Sequence, residues 1–234
     1  MPSAAVTPLT VNAKKTSSSL DDIAARLHQK ATGPLGFRSL IAGDSASIGE
    51  GPEALGLAKS LSATGKAVLL LDWAPRGQSI VGGLGLKVEP GLTGLLDGRA
   101  TFEDTIRAVP GSDVHIITAG APIANPAGLE DAQKLNMLLD ALDEAYEHIV
   151  VACPFEDARH LFEATEGRFD AGITIAEVKR RTSALDETGE TFLGFDVTEI
   201  ELATIDRPVL KAEPSQRIVR PALPSDRINK AVRS

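Results

Sequence analysis

Short continuous apolar runs alternate along the chain with stretches of helical spacing. "GFRSLIAG", "KAVLLLD", "DVHIITAG" and "HIVVACP" are runs of the first kind, each bounded by Gly, Pro or charged residues. Runs of that length and continuity belong to strands covered on both faces. Between them, Leu55, Ala58 and Leu61 lie on one helical face that runs up to Gly65, and "DAQKLNMLLDALDEAY" places Leu135, Leu138, Leu139 and Leu142 at the same spacing. Strand, helix and strand in regular order predict an α/β fold with a doubly wound, mostly parallel sheet in a three-layer α/β/α sandwich. In such sheets ligands sit beyond the carboxyl ends of the strands, where the loop "SASIGEGPEA" falls. The rhythm changes after "HIVVACP". "DAGITIAEV" and "TFLGFDVTEIELATI" both read as strands, and the short stretch between them is near the minimum for a parallel crossover. It also contains "LDETGE", which reads equally as the turn of an antiparallel hairpin at the C-terminal edge.

Polarity changes at the ends of the chain set the domain bounds. Residues 1–18 are small, polar and Pro-containing, and read as a disordered N-terminal segment. Residues 19–34 hold a short helix and linker. Ser19 followed by Asp22 is a capping-box start, and Leu20, Ile23 and Leu27 form a stripe that packs on its own domain. Residues 35–207 form the α/β domain, and 208–234 a Pro-containing basic tail.

Composition narrows the class. Only 4% of the 234 residues are aromatic, which suits helices on a sheet better than a β-sandwich. One cysteine rules out a disulfide framework. With no membrane-length apolar run and no signal-like leader, the expected location is the cytoplasm, with the inner membrane reached through a partner. The net charge is −8, yet the tail carries Lys211, Arg217, Arg220, Arg227, Lys230 and Arg233 against Glu213 and Asp226. The tail is therefore +4 and the rest −12, which argues against a nucleic-acid-binding body. Such a tail is either a solvated terminus or a segment for an acidic partner or an anionic membrane surface.

Candidate chemistry centres on the Gly-rich loop. Gly49, Glu50, Gly51, Pro52 and Glu53 have the rhythm of a phosphate-binding loop without its lysine. The middle of the chain supplies the context. "VLLLDWAPRGQSIVGGLGLKVEPGLTGLLDGRATFEDTI", "IITAGAPIANPAGL" and "YEHIVVACP" closely resemble the cytoplasmic domain of bacterial tyrosine kinases that work with capsule and exopolysaccharide export. These kinases group with chromosome-partitioning and division-site ATPases among deviant P-loop proteins. The resemblance runs from about Phe37 to Thr174 and implies a P-loop NTPase-like fold.

The same resemblance exposes departures at three motifs. Relatives read Gly-Glu-Gly-Lys-Ser/Thr at the loop. Here either Pro52 and Glu53 follow the glycines, or, counting back from Gly65, Gly49 takes the glycine place and Glu50 the lysine place. Neither register supplies a cation or a hydroxyl. Two alternating aspartates are implied after the second strand, where Asp72 is kept but Ala74 stands second; Arg76 matches a family arginine. At the third motif Ala152 stands for the aspartate and Cys153 beside it. The tyrosine-rich acceptor cluster is also missing, because the sole tyrosine, Tyr146, falls inside a helix.

Plainer roles compete for each of these residues. Asp72 suits a turn or cap, Arg76 a solvated surface, and Cys153 a small buried side chain. His28, His115, His148 and His160 have no metal-ligand spacing, so no metal site is assigned. Glu156 and Asp157 read as caps at a helix start. The expectation is thus a non-catalytic relative of the kinases with no cofactor. It would act as a binding or regulatory module on a membrane polysaccharide co-polymerase or a kinase paralogue. Two alternatives stay open: a residual nucleotide binder or weak ATPase holding ATP and Mg²⁺ through backbone amides and Arg76, and a membrane-surface or oligomerisation adaptor using the tail.

Overall fold

A computed structural model describes residues 19–77, 80, 84–123, 131–177 and 191–207. The N-terminal segment, the basic tail, "LDETGE" and parts of the stretches that carry the resemblance lie outside these residues.

The apolar runs form the central strands. β1 (Phe37–Gly43), β2 (Val68–Asp72) and β5 (His148–Ala152) are buried along their whole length. They belong to a seven-stranded sheet that also contains β3 (Ile106–Ala108), β4 (His115–Ile117), β6 (Ala171–Glu177) and β9 (Glu201–Arg207), in the order β3-β4-β2-β5-β1-β6-β9. Every pairing in it is parallel except β3 with β4. β3 is too short to show any period, and the pattern of apolar residues does not predict it.

Alternate residues of each strand point to opposite faces, so one sheet feeds two cores. On one face α1 (Leu20–Lys30) and α2 (Gly51–Ser62) bring Ile23, Leu27, Leu57 and Leu61 onto Ile41, Leu70, Val150 and Ile173. On the other, α5 (Ala132–Asp143) and α6 (Phe155–Ala164) bring Leu135, Leu139, Leu142 and Leu161 onto Leu40, Leu69, Leu71 and Val151. This is the three-layer sandwich. Two short helices, α3 (Leu92–Leu96) and α4 (Phe102–Thr105), lie in the crossover from β2 to β3.

The α1 stripe does pack on its own domain. Ser19 and Asp22 close the capping box, Ser60 Oγ donates to Asp21 Oδ1 at 2.7 Å, and Arg26 and Lys30 reach Glu201 at 3.3 and 3.2 Å.

At the C-terminal edge the parallel crossover holds for the sheet. Seven consecutive pairs run from Ala171 with Glu201 to Glu177 with Arg207. An antiparallel hairpin is present as well, but as its own small ladder of β7 (Thr191–Phe192) and β8 (Phe195–Asp196). "TFLGFDVTEIELATI" is therefore not one strand. Leu193 and Gly194 take φ of 55° and 82°, the left-handed pair a two-residue hairpin turn needs. The turn folds Phe192 back onto β6.

Candidate functional site

The loop between β1 and α2 opens at the carboxyl edge of the sheet. The chain passes from β5 on one side of β1 to β6 on the other, so the loop lies where connections diverge. Its start is tightly folded: a β-carbon on Gly43 would collide with the carbonyl and side chain of Ile48.

Glu50 is the N-cap of α2, but its backbone is already helical (φ −101°, ψ −12°) and its side chain caps no helix N–H. Instead the carboxyl folds into the protein, where the residue is 3% exposed. Desolvation raises its pKa to about 7; its own backbone N–H opposes the shift and the nearby charge of Asp72 adds to it. Pro52 sits in the first turn of α2, where a missing N–H costs nothing to the helix but removes a donor that could face an anion. Ile80 covers the helix start, since a β-carbon on Gly51 would lie 2.8 Å from Ile80 Cγ2.

Glu53 does not stand free at the positive end of the helix. The guanidinium of Arg207, the last residue of β9, grips it in a forked pair: Nε donates to Oε1 at 2.8 Å and Nη2 donates to Oε2. Nη2 also donates to the Gly49 carbonyl at 2.6 Å. One arginine thus spans the loop, its side chain 30% exposed.

The second motif continues the acidic wall. Asp72 ends β2 fully buried, beside Ala152 in register, and the Trp73 N–H donates to the Ala152 carbonyl at 2.8 Å. Ala74 is buried, and Arg76 Nη1 pairs with Asp157 Oδ1 at 2.6 Å. Glu156 and Asp157 occupy the first turn of α6 but neither caps it, because Pro154 holds the N-cap position. Their expected capping role is corrected to charges near the helix's positive end, with Asp157 also anchoring Arg76. Cys153 is fully buried, and its thiol is pushed well up by desolvation and then by Asp157, Glu50 and Asp72. A thiol in that setting is inert.

The fold brings Glu50, Asp72, Asp157 and Cys153 together and leaves the histidines apart. His148 opens β5 next to Phe37 and His28, whereas His115 Nδ1 shares a 2.9 Å hydrogen bond with the Tyr146 hydroxyl. Among the described residues no group of three or more His, Cys, Asp or Glu is placed to hold a metal. Three participants escape sequence reasoning: Arg207, Ile80 and the Arg76–Asp157 pair. A basic residue ending a strand is visible in "ELATIDR", but its partner lies 154 positions earlier.

No family model matches the chain. Over 114 residues it is 29% identical to the tyrosine-protein kinase ptk of Acinetobacter johnsonii, a match covering 49% of this chain and 16% of the kinase. Among solved structures, the kinase domain of the Escherichia coli tyrosine kinase ETK superposes with a TM-score of 0.65 at 18% identity, covering 90% of this chain and 83% of that one. The VpsO kinase domain does so at 0.62 and 24%, covering 80% and 90%. The chain has the fold of the bacterial tyrosine-kinase domains. Within that fold, residues 49–53 join the first strand to its helix, and Asp72 and Ala152, paired in register, end neighbouring strands.

Proposed function

We propose that this domain is a non-catalytic relative of the exopolysaccharide-associated tyrosine kinases, serving as a binding and regulatory module. Its support is the closed, acid-lined loop. The residues present do not fit a magnesium nucleotide: neither register of the loop offers a lysine, Glu50 lies buried beside it, Ile80 covers the helix start, and the cations described at this edge, Arg76 and Arg207, are each held by a carboxylate. Replacing an ammonium by an ionised carboxylate about 4 Å from a phosphate turns roughly 4 kcal/mol of attraction, at an effective dielectric near 20, into comparable repulsion. Protonation of Glu50 below pH 7 relieves the repulsion without supplying a cation.

The surface that survives is the folded shape, and the partner class this reading favours is the cytoplasmic segment of a polysaccharide co-polymerase or an active kinase paralogue. Among the described residues no helix is long and apolar enough to cross a membrane. Isothermal titration with Mg-ATP, Mg-ADP and Mg-GTP tests the first half, with no heat of binding expected. Micromolar binding that is lost in Asp72→Ala would defeat the reading. Co-purification from the native cell tests the second, and recovery of neither partner class would remove it.

A further inference from the structure

We infer that Arg207 is a conformational latch: by gripping Glu53 and the Gly49 carbonyl together, it holds the degenerate phosphate loop in one closed shape and ties that shape to the C-terminal edge of the sheet. The inference deepens the reading of the loop as a binding surface, but it stands on the clamp geometry and not on the loss of nucleotide chemistry.

β9 is the edge strand, hydrogen-bonded within the described sheet to β6 alone. Both its ends are pinned to helices of the same face. At its start Glu201 takes Arg26 and Lys30 of α1, and at its finish Arg207 takes Glu53 of α2. Between the pins run the seven parallel pairs with β6. The strand therefore works as a strut from α1 to the loop.

The two contacts of Arg207 constrain different things. The forked pair with Glu53 fixes the first turn of α2, because two parallel N–H···O bonds set orientation as well as distance. The bond to the Gly49 carbonyl fixes the loop just before the N-cap, at an exposed glycine where an added β-carbon would meet nothing within 4 Å. Without the arginine, Glu53 and the Gly49 carbonyl both lose their described partner, and the first turn of α2 is held only by its own backbone bonds, the buried Glu50 and Ile80. The chain continues from Arg207 directly into residues 208–234, which carry a charge of +4.

Hydrogen exchange on the full chain tests the latch. The readout is the amides of Ala54 to Leu57, the first that bond inside α2, starting with Ala54 to the Glu50 carbonyl at 2.9 Å. Arg207→Ala and, independently, Glu53→Gln should speed their exchange roughly tenfold or more, with β2 and β5 unchanged as the internal standard. Arg207→Lys should restore protection only in part, since an ammonium cannot reproduce the fork. The double exchange Arg207→Glu with Glu53→Arg should restore most of it. Wild-type exchange at Ala54 to Leu57 in both single variants would overturn the latch, as would equal acceleration in β2 and β5 or no recovery in the double exchange. Nucleotide binding by the wild-type chain would defeat the proposed function and leave these exchange rates as they stand, so the two failures are told apart.

Discussion

Burial holds the Glu50 carboxyl at a pKa of about 7 and the His148 imidazole at about 4, so both groups favour the neutral form in the folded state. Their effects on stability have opposite signs. Between pH 4.5 and 7 the folded chain keeps a proton on Glu50 that the unfolded chain releases, so this group's contribution is present at low pH and is lost as pH rises through 7. For His148 the unfolded chain takes up a proton near pH 6.5 and the folded chain only near pH 4, so stability is lost as pH falls through that window. Desolvation is the main cause, His28 adds to it, and Glu147 opposes it. Neither ring nitrogen of His148 has a hydrogen-bond partner among the described atoms. Two outcomes follow for urea unfolding between pH 4 and 8. Glu50→Gln should gain stability over wild type as pH rises from 5 to 8, by up to about 3 kcal/mol. His148→Phe should gain over wild type as pH falls from 7 to 4, by an amount of the same order, up to about 3 kcal/mol. Parallel curves for wild type and variant would mean that the group in question titrates normally.

Elements meet closely where the hairpin of β7 and β8 lies against β6. A β-carbon at Gly172 would stand 2.8 Å from the Phe192 ring, and Phe192 is itself packed on Phe162 with ring centres 5.6 Å apart. Gly172→Ala must push that ring out of a filled core, at a cost of about 1–3 kcal/mol read as a lower Tm. An unchanged Tm would mean the hairpin yields without strain. The same region marks the limit of sequence reasoning at this scale. β1, β2 and β5 are legible because they are buried on both faces and show it as unbroken apolar runs. β3 is too short to carry a pattern, and the Leu193–Gly194 turn is hidden because leucine rarely signals a left-handed conformation. The α1 stripe and the alternation that yields the parallel sheet are read correctly from spacing alone.

For the whole molecule, the fold and the loop's place at the sheet edge follow from order and periodicity, while the way the loop is closed does not. Glu50, Ala74 and Ala152 are visible as departures from a motif, and Asp72 as a position that is kept. Their closure by Arg207 and Ile80 depends on contacts between distant parts of the chain, which local spacing does not encode. Thermal melting with and without Mg-ATP reads the outcome at this scale: a ligand at a hundred times its Kd adds about 2.7 kcal/mol of stability. The expected shift is zero, and a rise of several degrees would restore the nucleotide-binding alternative. Trp73 gives that experiment a second channel. It is the chain's single tryptophan, 4% exposed and one residue beyond Asp72. Its side chain packs with Leu40, Leu71 and Val151 in the core between the sheet and α5 and α6, so its emission reports burial in that core without any added dye, and a variant that loosens this face should register as a red shift in the native protein's own fluorescence.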